Sequence, residues 1–141
     1  MNKNVTILVA EDDDDDKELI RYAFEENKVT NPVQFVDNGE QLLEVLTKYD
    51  AEHGKCMSAV ILLDLNMPKM DGREALKRIK AHDTFKAIPV IVLSTSVAKN
   101  DIANSYLLGA ASYISKPSGY EKLVSLVKNF HSYWFESVTL S

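Results

Sequence analysis

The sequence predicts an α/β fold in which one five-stranded parallel sheet carries helices on both faces. Three observations predict it. Short β-branched apolar runs alternate with longer stretches of helical periodicity. The runs, such as Ala59-Val60-Ile61-Leu62-Leu63 ahead of Asp64, are apolar instead of alternating, as strands buried on both faces are. Each strand is also separated from the next by a helix-length segment, which calls for right-handed crossovers onto a parallel sheet.

The elements follow in order. Val5-Thr6-Ile7-Leu8-Val9-Ala10 is a strand that stops at charge, and Lys17 to Asn27 carries Leu19, Ile20, Ala23 and Phe24 at helical spacing. Asn31-Pro32 breaks the chain before a second strand, Val33-Gln34-Phe35-Val36. Asn38-Gly39 precedes a helix with Leu42, Leu43, Val45, Leu46 and Tyr49 on one face. Ala51 to Ser58 reads as a polar loop, and Ala59 to Asp64 as the third strand. Met67-Pro68 and Asp71-Gly72 turn into a helix bearing Ala75, Leu76 and Ile79. Val90-Ile91-Val92-Leu93 is the fourth strand, and a helix follows around Ile102 to Leu108, stopped by Gly109. Ala111 to Ser115 is the fifth strand, and Tyr120 to Trp134 the last amphipathic helix.

Composition narrows the function. A chain of 141 residues, 45% hydrophobic and 26% charged, supplies one globular domain with a real core. The net charge of -5 argues against a generic nucleic-acid module, which should be basic. Cys56 is the sole cysteine, so no intrachain disulfide and no cysteine-based zinc site exists, and a reducing, cytoplasmic setting is expected. No apolar stretch has the length of a signal peptide or a membrane span. The acids are unevenly spread, with Glu11-Asp12-Asp13-Asp14-Asp15-Asp16 forming one unbroken run.

Ligands of open parallel sheets sit at the carboxyl ends of the strands. Those ends carry Glu11-Asp12, Asp64, Ser94-Thr95 and Lys116-Pro117. Two carboxylates about 4 Å apart repel by roughly 4 kcal/mol at an effective dielectric near 20. Protons or a hard divalent cation must resolve that clash, and a few oxygen ligands suit Mg²⁺. Lys116 adds a point charge suited to a phosphoryl oxygen, and Ser94 a hydroxyl donor. Together these make a phosphoryl-transfer pocket in which Asp64 is itself a candidate nucleophile.

Five pieces in order carry a family resemblance: Ile7-Leu8-Val9-Ala10-Glu11-Asp12, Leu63-Asp64-Leu65-Asn66-Met67-Pro68, Asp71-Gly72, Val92-Leu93-Ser94-Thr95, and Ser112-Tyr113-Ile114-Ser115-Lys116-Pro117. With these the chain resembles the response-regulator receiver domains of bacterial two-component signalling over nearly its whole length. The resemblance implies a flavodoxin-like (βα)5 fold with strand order 2-1-3-4-5. It implies Asp64 as phosphoacceptor, with Mg²⁺ on Asp12, Asp64 and the Asn66 carbonyl and Glu11 helping through water. It gives Lys116, Ser94 and Thr95 as phosphate-contacting, Ser94 and Tyr113 as the switch pair, and Asn66 and Ser96 as tuners of the phosphoaspartate lifetime. Thr95 is larger than the Ala or Gly of many receivers and is expected to slow hydrolysis. The long loop before the third strand, Leu93-Ser94-Thr95-Ser96 and Tyr133-Trp134-Phe135-Glu136 resemble the small stand-alone regulators that include partners of bacterial phytochrome kinases.

The implied organisation is a receiver over residues 1–133, a C-terminal tail over 134–141 and no output domain. The implied partners are a sensor histidine kinase or a histidine phosphotransfer protein, with room for a homodimer. No nucleic acid, membrane or small-molecule substrate is expected. Plainer readings compete. Asp13 to Asp16 read as a solvated lead-in to the first helix, favourable at its positive end. A calcium loop from Asp12 fails, because its glycine position is Lys17 and its terminal glutamate position is Ala23. An aspartyl-phosphate hydrolase would carry a second acid at Asn66. His53, His82 and His131 are scattered, and Tyr106, Tyr113 and the cluster Phe130, Tyr133, Trp134 and Phe135 read as core, with a partner or dimer surface on the last helix and tail as the second reading.

Overall fold

The computed structural model describes residues 5–137. Strands β1 (Thr6–Ala10), β2 (Val33–Val36), β3 (Ala59–Leu63), β4 (Val90–Ser94) and β5 (Ser112–Ser115) alternate with helices α1 (Asp14–Glu26), α2 (Gly39–His53), α3 (Gly72–Ala81), α4 (Lys99–Leu107) and α5 (Tyr120–His131). Every paired strand is parallel and the order is β2-β1-β3-β4-β5. The flavodoxin-like order expected from the resemblance is the one observed. The winding reverses between β1 and β3, so the crevice for a ligand lies beyond Ala10 and Leu63, which are in register.

Strand alternation builds two cores from one sheet. Leu8, Ala10, Ile61, Leu63, Val90 and Val92 join Leu42, Leu46, Leu76 and Ile79 of α2 and α3. Ile7, Val9, Val60, Leu62 and Ile91 join Ile20 and Phe24 of α1 and Val127 and Phe130 of α5. Helix α4 buries only Ser105, while Tyr106, Leu107 and the preceding Val97 are exposed.

Helix ends differ from expectation, each for a local reason. Helix α1 starts at Asp14, not Lys17, because Asp13 caps it by accepting the Asp16 amide at 3.0 Å. Helix α2 continues through Ala51 and Glu52 to His53, where Gly54, at φ 67°, closes it in the left-handed conformation. Helix α4 begins at Lys99, not Ile102, although Ala98 at its cap offers no side-chain acceptor.

The expected tail from residue 134 is not separate over its first residues. Helix α5 ends at His131 and Ser132–Ser137 follow as a π-helical turn. That turn brings Phe135 into the α1–α5 core, edge-on to Phe130 at 6.0 Å and stacked on His131 at 5.2 Å. Phe130 and Phe135 are therefore core, Trp134 is half-buried and Tyr133 is exposed. Residues 1–4 and 138–141 of the expected receiver and tail lie outside the described residues.

Candidate functional site

The β1–β3 pairing brings the acidic residues together. The Glu11 amide donates to Val36 at 3.0 Å and the Asp64 amide to Ala10 at 3.1 Å, so both residues extend the ladder by one step. Glu11 is 2% exposed and Asp64 9%, whereas Asp12 faces solvent. One carboxylate oxygen from each of Glu11, Asp12 and Asp64 lies within 4.8 Å of the others. The Asn66 amide donates to Asp64 Oδ1 at 3.2 Å. The chain then turns into α3 directly beneath Asp64, where Gly72 donates to the Leu65 carbonyl at 2.9 Å. A Cβ on Gly72 would stand 2.3 Å from the Asp64 carbonyl oxygen and 2.7 Å from Leu65 Cα. Gly72 is required here for close approach of backbone to backbone.

From β5, Lys116 reaches back across the same crevice. Its amide donates to the Ser94 carbonyl at 2.7 Å. Its ammonium pairs with Glu11 Oε1, with Asp16 Oδ2 at 3.1 Å, and with Asp64 Oδ2 at 3.6 Å. Burial pushes the Glu11 carboxyl up to about 7; Lys116 pulls the other way and Asp64 adds to the rise. Burial alone would lower the Lys116 pKa, but Glu11, Asp64 and Asp16 reverse this and hold it above the ordinary lysine value.

Ser94 and Tyr113 meet through Ser96. Ser94 is fully buried and its Oγ accepts the Ser96 amide at 3.1 Å. The half-buried Tyr113 hydroxyl donates to the Ser96 carbonyl at 2.9 Å. The Ser96 hydroxyl donates to Asp101 Oδ2 at 2.6 Å. Thr95 is exposed and shares with Lys116 and Asp16 the wall of a neighbouring groove of about 370 Å³. Asn66 is also exposed.

Sequence reasoning missed two features. Asp16 is not part of a solvated lead-in, since it holds the Lys116 ammonium. With Asp13 as cap, its position in the first turn of α1 was the available signal. Asp101 was also missed; it joins Ser96 to Arg73 of α3, whose Nη2 lies 3.2 Å from Asp101 Oδ1. The three histidines are accounted for by structure: His53 stacks on Tyr49, His82 on Phe85 and His131 on Phe135.

The donor set fits a hard divalent cation. Three carboxylates within 4.8 Å of one another face one ammonium, and every candidate side-chain ligand is oxygen. No helix among the described residues is long and apolar enough to cross a membrane.

Known proteins are similar to this chain in sequence and fold. The model of the response regulator receiver domain matches residues 7–128. The response regulator Rcp1 of Synechocystis is 33% identical over 139 residues, covering 99% of this chain and 95% of Rcp1. The phosphorylated cyanobacterial phytochrome response regulator RcpA superposes with a TM-score of 0.87 at 37% identity, covering 97% of this chain and 98% of RcpA. The Mn²⁺-bound form of Rcp1 superposes with a TM-score of 0.85 at 33% identity, covering 97% of this chain and 99% of that one. On the fold, the strand-end carboxylates and the family match together, the chain belongs to the response-regulator receiver domains of two-component signalling.

Proposed function

We propose that the protein is a phosphorylation switch in which Asp64 takes a phosphoryl group from the phosphohistidine of a sensor histidine kinase or a histidine phosphotransfer protein. The observation that carries this reading is the posture of Asp64, with Oδ1 held by the Asn66 amide and Oδ2 facing the Lys116 ammonium. A lone pair of the Asp64 carboxylate attacks phosphorus, the O–P bond forms, the N–P bond breaks and the leaving imidazole keeps the electron pair. Lys116 neutralises the charge that gathers on the phosphoryl oxygens. Ser94 offers a hydroxyl donor to the same group, and Tyr113 follows the loop that carries Ser94. Thr95 limits access of water to the adduct, and Asn66 and Ser96 set its lifetime.

Mg²⁺ would be held by Asp12, Asp64 and the Asn66 carbonyl, with Glu11 acting through water, and would supply charge neutralisation for the phosphoryl oxygens. The protein itself is the acceptor and not an enzyme acting on a small molecule. It acts in the cytoplasm, and its output is a binding event. The phosphoryl group adds a charge of about -1.5 to -2, which biases the surface formed by α4, β5 and α5. That surface exposes Val97, Tyr106 and Leu107, beside a groove of about 780 Å³ between β5 and α5. Its apolar character suits a protein partner or a second copy of the chain.

Acetyl phosphate with Mg²⁺ tests the reading. Intact mass should show one phosphoryl adduct on the wild-type protein and none on Asp64→Asn. Labelling of Asp64→Asn to the wild-type extent would falsify the assignment.

A further inference from the structure

Lys116 enters the crevice on a flexible stem and presents three N–H donors to three carboxylates. Two of these, Glu11 and Asp64, belong with Asp12 to the cluster whose oxygens lie within 4.8 Å of one another. The third, Asp16, does not belong to it. Asp16 stands on α1, whereas Glu11 and Asp64 continue the sheet ladder. Its Oδ2 is 3.1 Å from the ammonium, and Asp64 Oδ2 is farther, at 3.6 Å. The ammonium is thus drawn from two sides, by the cluster and by the helix.

The start of α1 sets the helix side. Asp13 caps the helix by accepting the Asp16 amide at 3.0 Å, which fixes the phase of the first turn. Three acids occupy that turn, and their surroundings differ. Asp14 lies 3.6 Å from Lys17, which Asp37 also engages. Asp15 is exposed. Asp16 is the half-buried member of the three, and it meets Lys116.

We propose that Asp16 is a positioning residue for the metal site, holding the Lys116 ammonium toward α1 so that Glu11 and Asp64 stay available to a divalent cation. This rests on the reading of Glu11, Asp12 and Asp64 as a Mg²⁺-binding cluster. An ammonium and a divalent cation compete for the same carboxylates and repel each other. Without Asp16 the ammonium is left to Glu11 and Asp64, pairs with them more closely and opposes the cation more strongly. The loss of a negative charge beside the site acts in the same direction. Asp16 is no member of the cluster and acts through Lys116.

The test is a calorimetric Mg²⁺ titration of the whole chain at fixed pH and ionic strength. It compares wild type, Asp16→Ala, Asp15→Ala, Lys116→Met and the double variant Asp16→Ala with Lys116→Met. Asp16→Ala should weaken Mg²⁺ binding by about 3- to 10-fold, within the range for residues that share one ion-pair network. Asp15→Ala removes the same charge from the same turn and should change affinity by less than about twofold, as an exposed and screened charge does. In the Lys116→Met background Asp16→Ala should also shift affinity by less than about twofold, because the group it acts through is gone. Melting temperatures separate a positioning role from a structural one. A weakened helix start lowers them with or without Lys116, whereas the loss of affinity needs Lys116. Asp16→Asn keeps the shape of the side chain and decides the matter, with the same direction of change, if Asp16→Ala does not fold. Wild-type affinity in the Asp16 variant, an equal loss in Asp15→Ala, or an undiminished loss in the Lys116→Met background overturns the proposal. A wild-type protein that binds no Mg²⁺ overturns the reading of the cluster itself, and this proposal with it.

Discussion

The Lys116 ammonium stands 3.6 Å from Asp64 Oδ2, in ion-pair range but beyond a direct hydrogen bond. Glu11 and Asp16 hold it more closely. Lys116 thus occupies the cationic position of the carboxylate cluster. Replacing it by Met should have opposite effects on the two ligands of the site. Mg²⁺ should bind more tightly, because a competing charge is gone, whereas labelling by acetyl phosphate should slow by about 100-fold, the scale set by loss of one preorganised donor. Calorimetric titration and intact mass read the two effects. Weaker Mg²⁺ binding in the variant would contradict this electrostatic account.

Glu11 should make metal binding depend on pH. Its carboxyl is raised from 4.5 to about 7 by burial, against the pull of Lys116. Between those values the folded, metal-free protein binds more protons than the unfolded chain, so its stability falls as pH rises through that window. A cation at the site favours the ionised form and expels the proton. Mg²⁺ affinity should therefore climb with pH up to about 7 and flatten above it. Glu11→Gln should remove most of that slope, and titrations between pH 5.5 and 8.5 check it.

Gly72→Ala should injure both fold and site. The added methyl meets backbone atoms of Asp64 and Leu65, which have no rotamer by which to yield. The expected cost is about 1–3 kcal/mol in urea unfolding. The Asp64 and Asn66 amide resonances should move further than those of α5. A variant as stable as wild type would show that the start of α3 can slide.

Tyr106→Phe should loosen the sheet edge. The Tyr106 hydroxyl accepts the Tyr113 amide at 3.0 Å, occupying a donor that an edge strand leaves open. Losing it should cost about 1 kcal/mol locally and speed hydrogen exchange at the Tyr113 amide about fivefold. Exchange at the β1 and β3 amides should stay unchanged.

What the sequence makes legible is what burial dictates. The strands β1 and β3 sit between two cores, so nearly every residue is apolar and their ends are marked by charge. That pattern alone brings Glu11, Asp12 and Asp64 to one rim, and the strand-end rule adds Ser94 and Lys116. Helix starts are less legible, because the cap of α1 is one aspartate within a run of identical acids. The residue at the cap of α4 is an alanine with no side-chain acceptor, which no local pattern announces. Asp16 was hidden for the same reason: only the phase of α1 decides which acid of the run turns inward. The tether between Asp101 and Arg73 joins residues 28 apart in sequence and needed the fold to be seen.

Helix α4 contributes one buried side chain, that of Ser105, while the helices on either side of the sheet share two large apolar clusters. This separates the parts of the molecule that resist mutation from those that tolerate it. Substitutions on α4 leave both clusters filled, so its exposed face is free to diversify among relatives while the scaffold holding Asp64 stays intact. New recognition can evolve on this fold at little risk of unfolding it.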